Sequence, residues 1–255
     1  GENRLGIIAS CLFIACYENN SRRSSKEIAE IFKISPRSMT KGFKKYNEIM
    51  LSSNKEIFSC DDVYISDSID FINRFCSNLN LDQNITDLCY YVCSQIEKYD
   101  LVSENTPTSK AAGCIYLISY LFDLEISKKD ISNICSTSEV TITKCFIKLI
   151  DFYIYLLPEK MLKILAIDFI HKFSQNLIKY YNANVYNSFL RGCIKSFEIH
   201  IKNNVIKNNR YITVLAGAVT YKNLQTENFS HLNLNDICTN FHLKEKNIMD
   251  IYNKL

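Results

Sequence analysis

Four cations, Arg37, Lys41, Lys44 and Lys45, fall at helical spacing in a stretch with no acidic residue from Pro36 to Asn47. Positions three to four and seven to eight apart share one side of a helix, so these residues make a stripe and not a scattered set. Arg22 and Arg23 stand shortly before it. Such a stripe suits phosphate, which is held by charge. An ordinary solvated helix face is the plain alternative, and the residues alone leave both readings open. A second set lies farther on. Ser136 and Ser138 precede a helical stretch that carries Thr141, Thr143, Lys144 and Lys148. Hydroxyls and backbone N–H groups at a helix start are good phosphate ligands.

Other chemistries find little support. The eleven cysteines are odd in number, scattered, and without a C-x-x-C pair, and most sit in apolar helical patterns: Cys11, Cys16, Cys89, Cys93, Cys114. They read as buried thiols of a reducing compartment; Cys89 and Cys93 share a helix face but lack further ligands. The four histidines, His171, His200, His231 and His242, all fall in the last hundred residues, away from cysteines at ligand spacing. There is no Gly-rich phosphate loop and no nucleophile elbow, so no enzymatic activity is expected. The 16 tyrosines are spread through apolar stripes and read as core.

The elements that must position these residues are helices. With 6 Gly and 3 Pro in 255 residues there is too little turn chemistry for an all-β sandwich. The apolar content of 47% suits a packed core, and no run approaches the roughly 18 uninterrupted apolar residues of a membrane span. The first residues lack a signal-peptide layout, so secretion is not expected. A net charge of +3 decides nothing about partners, because placement is what matters.

Three segments share one layout: 5–50, 109–154 and 211–255. Each opens with an apolar helix holding three small residues in a row, Ala9-Ser10-Cys11, Ala112-Gly113-Cys114 and Ala216-Gly217-Ala218. Each continues with a short helix (Lys26-Glu27-Ile28, Lys129-Asp130-Ile131, Asn235-Asp236-Ile237), a tight turn and a longer helix. Met39, Ile142 and Ile248 correspond in the last helix, as do Phe43, Phe146 and Tyr252. The shared isoleucine stands at 28, 131 and 237, a spacing of 103 and then 106 residues, which is that of a repeated small domain and too long for a solenoid of ~20–50 residues. Mid-helix glycine costs about 1 kcal/mol, so Gly113 and Gly217 point to close backbone packing around a buried central helix. Further helices are expected over 67–79, 84–99 with Asn84 as N-cap, 162–180 and 185–203, with Pro107 starting the second small-residue helix. The domains expected are 1–57, 61–157 and 158–255. The first repeat lacks room for two preceding helices, so the face of Leu5, Ile8 and Leu12 is expected to lie uncovered and the natural protein to extend N-terminally.

Five helices around a buried central one resemble the cyclin fold, and tandem copies of it resemble the core of the transcription factor IIB family. Arg74-Phe75-Cys76-Ser77-Asn78-Leu79 is similar to that family's first-helix motif, Asp100-Leu101-Val102 with Pro107 to its connection into the third helix, and Val140-Thr141-Ile142 to the start of its last helix. In the first repeat, Ala9-Ser10-Cys11-Leu12 with Ile14-Ala15-Cys16 resembles the family's central helix. Arg23, Lys26-Glu27-Ile28, Ile34-Ser35 and Phe43-Lys44 match the remainder. The resemblance covers residues 5–157. The third copy departs from it, and with the Asn-, Ile- and Lys-rich composition this suggests a divergent homologue from a large DNA virus.

The resemblance implies an all-α protein of three cyclin-like repeats, the first truncated. It also implies a general initiation factor that bridges TATA-binding protein, promoter double-stranded DNA and a multisubunit RNA polymerase, acting as a monomer and away from membranes. The last two helices of each repeat would form a helix-turn-helix whose second helix enters the major groove. The implied DNA-binding residues are Arg22, Arg23, Arg37, Lys41, Lys44, Lys45, Ser138, Val140, Thr141, Thr143, Lys144 and Lys148. Family members with a base-reading Arg carry it where this chain has Thr143, so backbone contact is expected there, with Lys144 a partial substitute. The third such helix, with Lys244, Glu245, Lys246 and Asp250, has mixed charge and suits a protein contact or a structural role. Zinc is expected only in an N-terminal ribbon that this sequence does not include, and no other cofactor is expected. Location would be the nucleus for a cellular member, or the cytoplasmic viral factory or virion for a large cytoplasmic DNA virus. The same fold also serves cyclin-like regulatory subunits of protein kinases and non-DNA-binding scaffolds of transcription complexes, which remain the alternatives.

Overall fold

The computed structural model describes residues 3–52, 67–203, 211–227, 229 and 231–255. Among these the regular structure is helical throughout, with no strand. The chain forms two compact units, Gly1–Leu149 and Ile150–Leu255. The first holds α1 (Arg4–Glu18), α2 (Ser25–Ile31), α3 (Pro36–Ser52), α4 (Ile69–Asn78), α5 (Gln83–Lys98), α6 (Pro107–Leu121), α7 (Lys128–Cys135) and α8 (Glu139–Ile150, whose last residue opens the second unit). The second holds α9 (Tyr153–Leu156), α10 (Glu159–Gln175), a 3-10 turn (Asn176–Lys179), α11 (Ala183–Lys202), α12 (Ile212–Thr226), α13 (Leu234–Phe241) and α14 (Glu245–Tyr252). The expected boundary at 57/61 and Cys60 lie outside the described residues. Residues 150–157, which the repeat pattern assigns to the second copy, pack in the second unit.

The threefold repeat is visible in backbone chemistry. Each short helix α2, α7 and α13 starts with a capping box, Ser24/Glu27, Ser127/Asp130 and Asn233/Asp236. The side chain of the first residue and that of the third helical residue satisfy each other's backbone N–H groups. Each short helix ends on a left-handed residue five positions after the shared isoleucine: Lys33 at φ 51°, Ser136 at 48° and His242 at 52°. The following N–H groups of Ile34, Thr137 and Leu243 bond back to Ala29, Ser132 and Cys238 at 3.0–3.1 Å, which is a Schellman closure. None of the three is glycine, although the conformation costs roughly 1–2 kcal/mol for an L-residue. All three prolines stand at helix starts, Pro36 and Pro107 as first residues and Pro158 just before α10.

The small-residue helices are the buried axes in two of the three copies. On α6, residues 109–115 are buried, and on α12 residues 212–220. Gly113 lets α8 approach: an added Cβ would stand 2.6 Å from that of Cys145. In the first copy the crossing lies one turn earlier. Gly42, which takes the place of Cys145, would carry a Cβ 2.1 Å from the backbone of Gly6, so α1 and α3 touch backbone to backbone there. Ala9 and Ser10 are buried, but Cys11 is exposed and Cys16 half-buried, contrary to the buried-thiol reading. They lie where α1 has no cover among the described residues, alongside the exposed Leu5, Ile8 and Leu12. The remaining described cysteines are buried, apart from the half-buried Cys238.

Helix bounds differ from expectation where a better cap was at hand. Asp82, not Asn84, caps α5, its carboxylate accepting the Ile85 N–H at 2.9 Å. The helix expected over 162–180 begins after Pro158 and tightens into the 3-10 turn at Asn176. No described helix is long and apolar enough to cross a membrane.

Ion pairs join the first two copies. Arg74 of α4 bonds both carboxylate oxygens of Glu27, at 2.5 and 3.2 Å, while Glu27 also serves its capping box. Lys26 donates to the Ser136 carbonyl at 2.6 Å. Burial by itself would raise the Glu27 carboxyl, but Arg74 and Ser24 outweigh it and hold it below the usual carboxylate range. Within the second copy, Lys110 on the buried axis pairs with Glu97 at 2.8 Å. In the second unit, the buried Tyr153 hydroxyl donates toward Thr213 Oγ1 and the Phe241 carbonyl, each at 3.0 Å, tying α9 to α12 and α13.

Candidate nucleic-acid interface

Helix α3 is capped by Ser35, whose Oγ accepts the Ser38 N–H at 3.2 Å. Its inward residues are Met39, Gly42 and Phe43, and this fixes the opposite side outward. Arg37, Lys41, Lys44 and Lys45 are all exposed. A shallow depression on this side is lined by Lys41, Lys44 and Lys45, with Asn3, Arg4 and Ile7 from α1 and Glu48. Arg4 was missed in the sequence because it lies far from the stripe; the Gly6–Gly42 crossing is what brings it alongside. Glu48 pairs with Lys45 at 2.9 Å, which lowers its carboxyl pKa, with Lys44 adding to the effect. An exposed pair of this kind contributes little to stability and opens readily to a competing anion.

A cleft of about 450 Å³ separates the first two copies. From the first come Arg23, Ser24, Ser25 and Lys26; from the second, Thr106, Thr108 and Ser109 at the start of α6 and Ser136, Thr137, Ser138 and Thr141 around the start of α8. Nine of the fourteen lining residues carry hydroxyls, Phe13, Phe71 and Pro107 add apolar surface, and both charged residues are cations. Arg23 folds over its own loop, donating to the Ser21 and Arg22 carbonyls at 3.1 and 3.0 Å. Arg22 does not join it. Its guanidinium lies over the Tyr17 ring at 3.5 Å and 3.6 Å from Asp70, and it is half-buried. The sequence offers no sign of this, since Asp70 is 48 positions away.

Helix α8 presents a different surface. Ser138 caps it, accepting the Thr141 N–H at 3.2 Å and sharing a 2.8 Å bond with the Thr141 hydroxyl. Thr143 donates to the Glu139 carbonyl at 2.8 Å and accepts from Lys128 at 2.9 Å. Lys128, absent from the expected site, is held over the Tyr116 ring at 5.0 Å. Lys148 is paired with Glu104. Val140 and Lys144 are exposed. Among the described residues no three His, Cys, Asp or Glu side chains gather as a metal ion would require.

Comparison with known proteins agrees with this architecture. The model of the transcription factor TFIIB repeat matches residues 1–49 and 62–151, more than half of the chain and two consecutive copies. The chain belongs to the TFIIB repeat family. A transcription initiation factor IIB-like protein of Acanthamoeba polyphaga mimivirus is 34% identical over 152 residues, 60% of this chain and 33% of the relative. Transcription initiation factor IIB of Encephalitozoon cuniculi is 30% identical over 169 residues, 66% of this chain and 51% of the relative. That of Xenopus laevis is 29% identical over 146 residues, 57% and 43% respectively. The match thus spans a third to about a half of the length of these relatives.

The residues matched to TFIIB repeats end where the second unit begins, yet that unit, with six described α-helices and α12 buried among them, has the same capped short helix and left-handed turn as the other two copies. Its last helix exposes Glu245, Lys246 and Asp250, and Lys244 stands 3.6 Å from Asp151, so neither sign of charge prevails. His242 serves the turn; burial, with Lys172 nearby, lowers its pKa.

Proposed function

We propose that this chain acts as an initiation factor of the TFIIB type, holding promoter double-stranded DNA together with TATA-binding protein and bringing in a multisubunit RNA polymerase. The observation that carries the reading is the gathering of Arg4, Lys41, Lys44 and Lys45 around one depression whose lining holds a single acid, Glu48. A field of one sign on a rigid helix attracts the phosphate backbone and positions it without reading sequence. The hydroxyl-lined cleft with Arg23 and Lys26 offers a second place for an anionic group. The named relatives are initiation factors, and the role proposed is a binding role without catalysis, in the nucleus or in a viral factory.

The test is assembly on TATA-box DNA with and without TATA-binding protein across a salt series. Charge reversal of Lys41, Lys44 and Lys45 to Glu is expected to abolish the ternary complex, and unchanged assembly would overturn the reading. Activation of a protein kinase without promoter binding would favour a cyclin-like regulator instead.

A further inference from the structure

The core of the second copy gathers four thiols that the DNA-binding role does not use. Cys76 comes from α4, Cys89 and Cys93 from α5 and Cys114 from α6, and all four side chains are fully buried. The Cys89 thiol donates to the Cys76 sulfur. The Cys114 thiol faces both the Cys93 sulfur and the Cys89 carbonyl, the latter at 3.4 Å. Cys93 Sγ also stands 3.0 Å from the Ser68 hydroxyl. Two uses suit such a group, a metal ion or a disulfide. Among the described residues no three ligating side chains converge as a metal ion requires. Pairing of sulfurs is the chemistry that remains.

A disulfide needs Cβ atoms about 3.5–4.5 Å apart. Residues four apart on one helix hold theirs about 5–6 Å apart, which sets aside Cys89 with Cys93. The attacking form of a cysteine is its thiolate. The bond from Cys89 holds the Cys76 thiol below its usual value, against burial, and the Thr86 hydroxyl assists. Burial pushes the Cys114 thiol well up, so the other pair lacks this activation. We infer that Cys76 and Cys89 are a peroxide-sensitive pair that closes into a disulfide and bolts α4 to α5. Hydrogen peroxide, little larger than water, reaches them when the end of α4 opens locally. The Cys76 thiolate attacks one peroxide oxygen, the O–O bond breaks, and the other oxygen leaves as hydroxide and takes up a proton as water. Cys76 is left as a sulfenic acid. The Cys89 thiol then gives up its proton and attacks the Cys76 sulfur. An S–S bond forms, and the sulfenic hydroxyl leaves with that proton as a second water. The two thiols lose two electrons and the peroxide gains them; a dithiol reductant reverses the bond. Because α4 also carries Arg74, which holds Glu27 of the first copy, the bridge stiffens the helix that joins the two copies.

The experiment uses the whole chain. Accessible thiols, the exposed Cys11 among them, are first blocked with iodoacetamide in the folded protein and the excess is removed. Hydrogen peroxide is added while circular dichroism follows the fold. The protein is then unfolded in N-ethylmaleimide, digested without reductant, and mapped by mass spectrometry. The expected product is a bridged pair of peptides holding Cys76 and Cys89, lighter by two hydrogens than the free peptides together and lost after dithiothreitol. The melting transition of the first unit should rise by roughly 5–10 °C, as for a bridge that closes a loop of about a dozen residues. Cys89→Ala should form no bridge and leave a Cys76 sulfenic acid that dimedone captures. The mapping of the unaltered protein decides the matter even if that variant folds poorly. Full alkylation of both Cys76 and Cys89 after peroxide overturns the inference. So does a bridge between Cys93 and Cys114 in their place, or one that forms only once the helical signal is lost.

Discussion

Helices α3 and α8 occupy the same place in successive copies of one fold, yet they present different surfaces. Both follow a short helix that starts with a capping box and ends on a left-handed residue, and both bury the first of the matching anchors, Met39 and Ile142. On the outer side α3 carries four exposed cations, whereas α8 carries Glu139, Val140, Lys144, Ile147 and Lys148, the last paired with Glu104. The second anchor diverges too. Phe43 is fully buried, whereas Phe146 is half-buried and sits edge-on to Tyr116 and Tyr120, with ring centroids 5.1 and 4.9 Å apart. The lesson is that capping and turn chemistry hold the geometry, while the outward residues vary freely because they do not bear on packing. One copy thus presents a mainly cationic outer face, the other a face of mixed charge with exposed apolar residues.

This contrast breaks most clearly on salt dependence. Neutralising Lys41, Lys44 and Lys45 to Gln should flatten the slope of log affinity against log salt by about 2.7 and weaken binding on the order of a hundredfold at 0.1 M salt. Val140→Ala should leave that slope unchanged. If both variants change the slope alike, the two helices do not divide the work.

The second-largest effect concerns the helix crossings. Gly42→Ala drives a Cβ into the Gly6 backbone and should cost about 3 kcal/mol in urea unfolding. Cys145→Ala, at the matching position of α8, only trims a buried side chain and should cost about 1 kcal/mol. Equal costs would mean that the crossings are not built differently.

The joint between the two copies is next. Glu27→Gln should lose about 2 kcal/mol through the charge-assisted bonds to Arg74. Since the folded carboxyl has its pKa lowered, its stabilisation is present above the unfolded value of about 4.3 and is lost as pH falls through the folded one. The unaltered protein should therefore lose stability in mild acid, and Glu27→Gln should lose less over the same range, read by melts from pH 6 to pH 3. The smallest effect is expected in the other unit. Tyr153→Phe removes the bonds to Thr213 and Phe241 and should cost about 1 kcal/mol, seen in the transition of the second unit alone.

How much was legible in the sequence follows from how local each cause is. The helix start at Pro107, the shared isoleucine, the small-residue runs and the basic stripe all depend on residues a few positions apart, and they could be read directly. So could the family, since its motifs recur in order over two copies. Three site features were beyond reach. Arg22 binds Tyr17 and Asp70, Arg4 joins the lysine stripe through a glycine crossing, and Lys128 takes the Thr143 hydroxyl. Each joins residues that are distant along the chain, and which pairs meet depends on how helices cross. Composition and periodicity alone determined that this protein is a set of repeated helical bundles with cations on one helix. Only tertiary packing decided which of those cations stay exposed and which hold the fold, because burial and ion pairing are properties of the assembled surface.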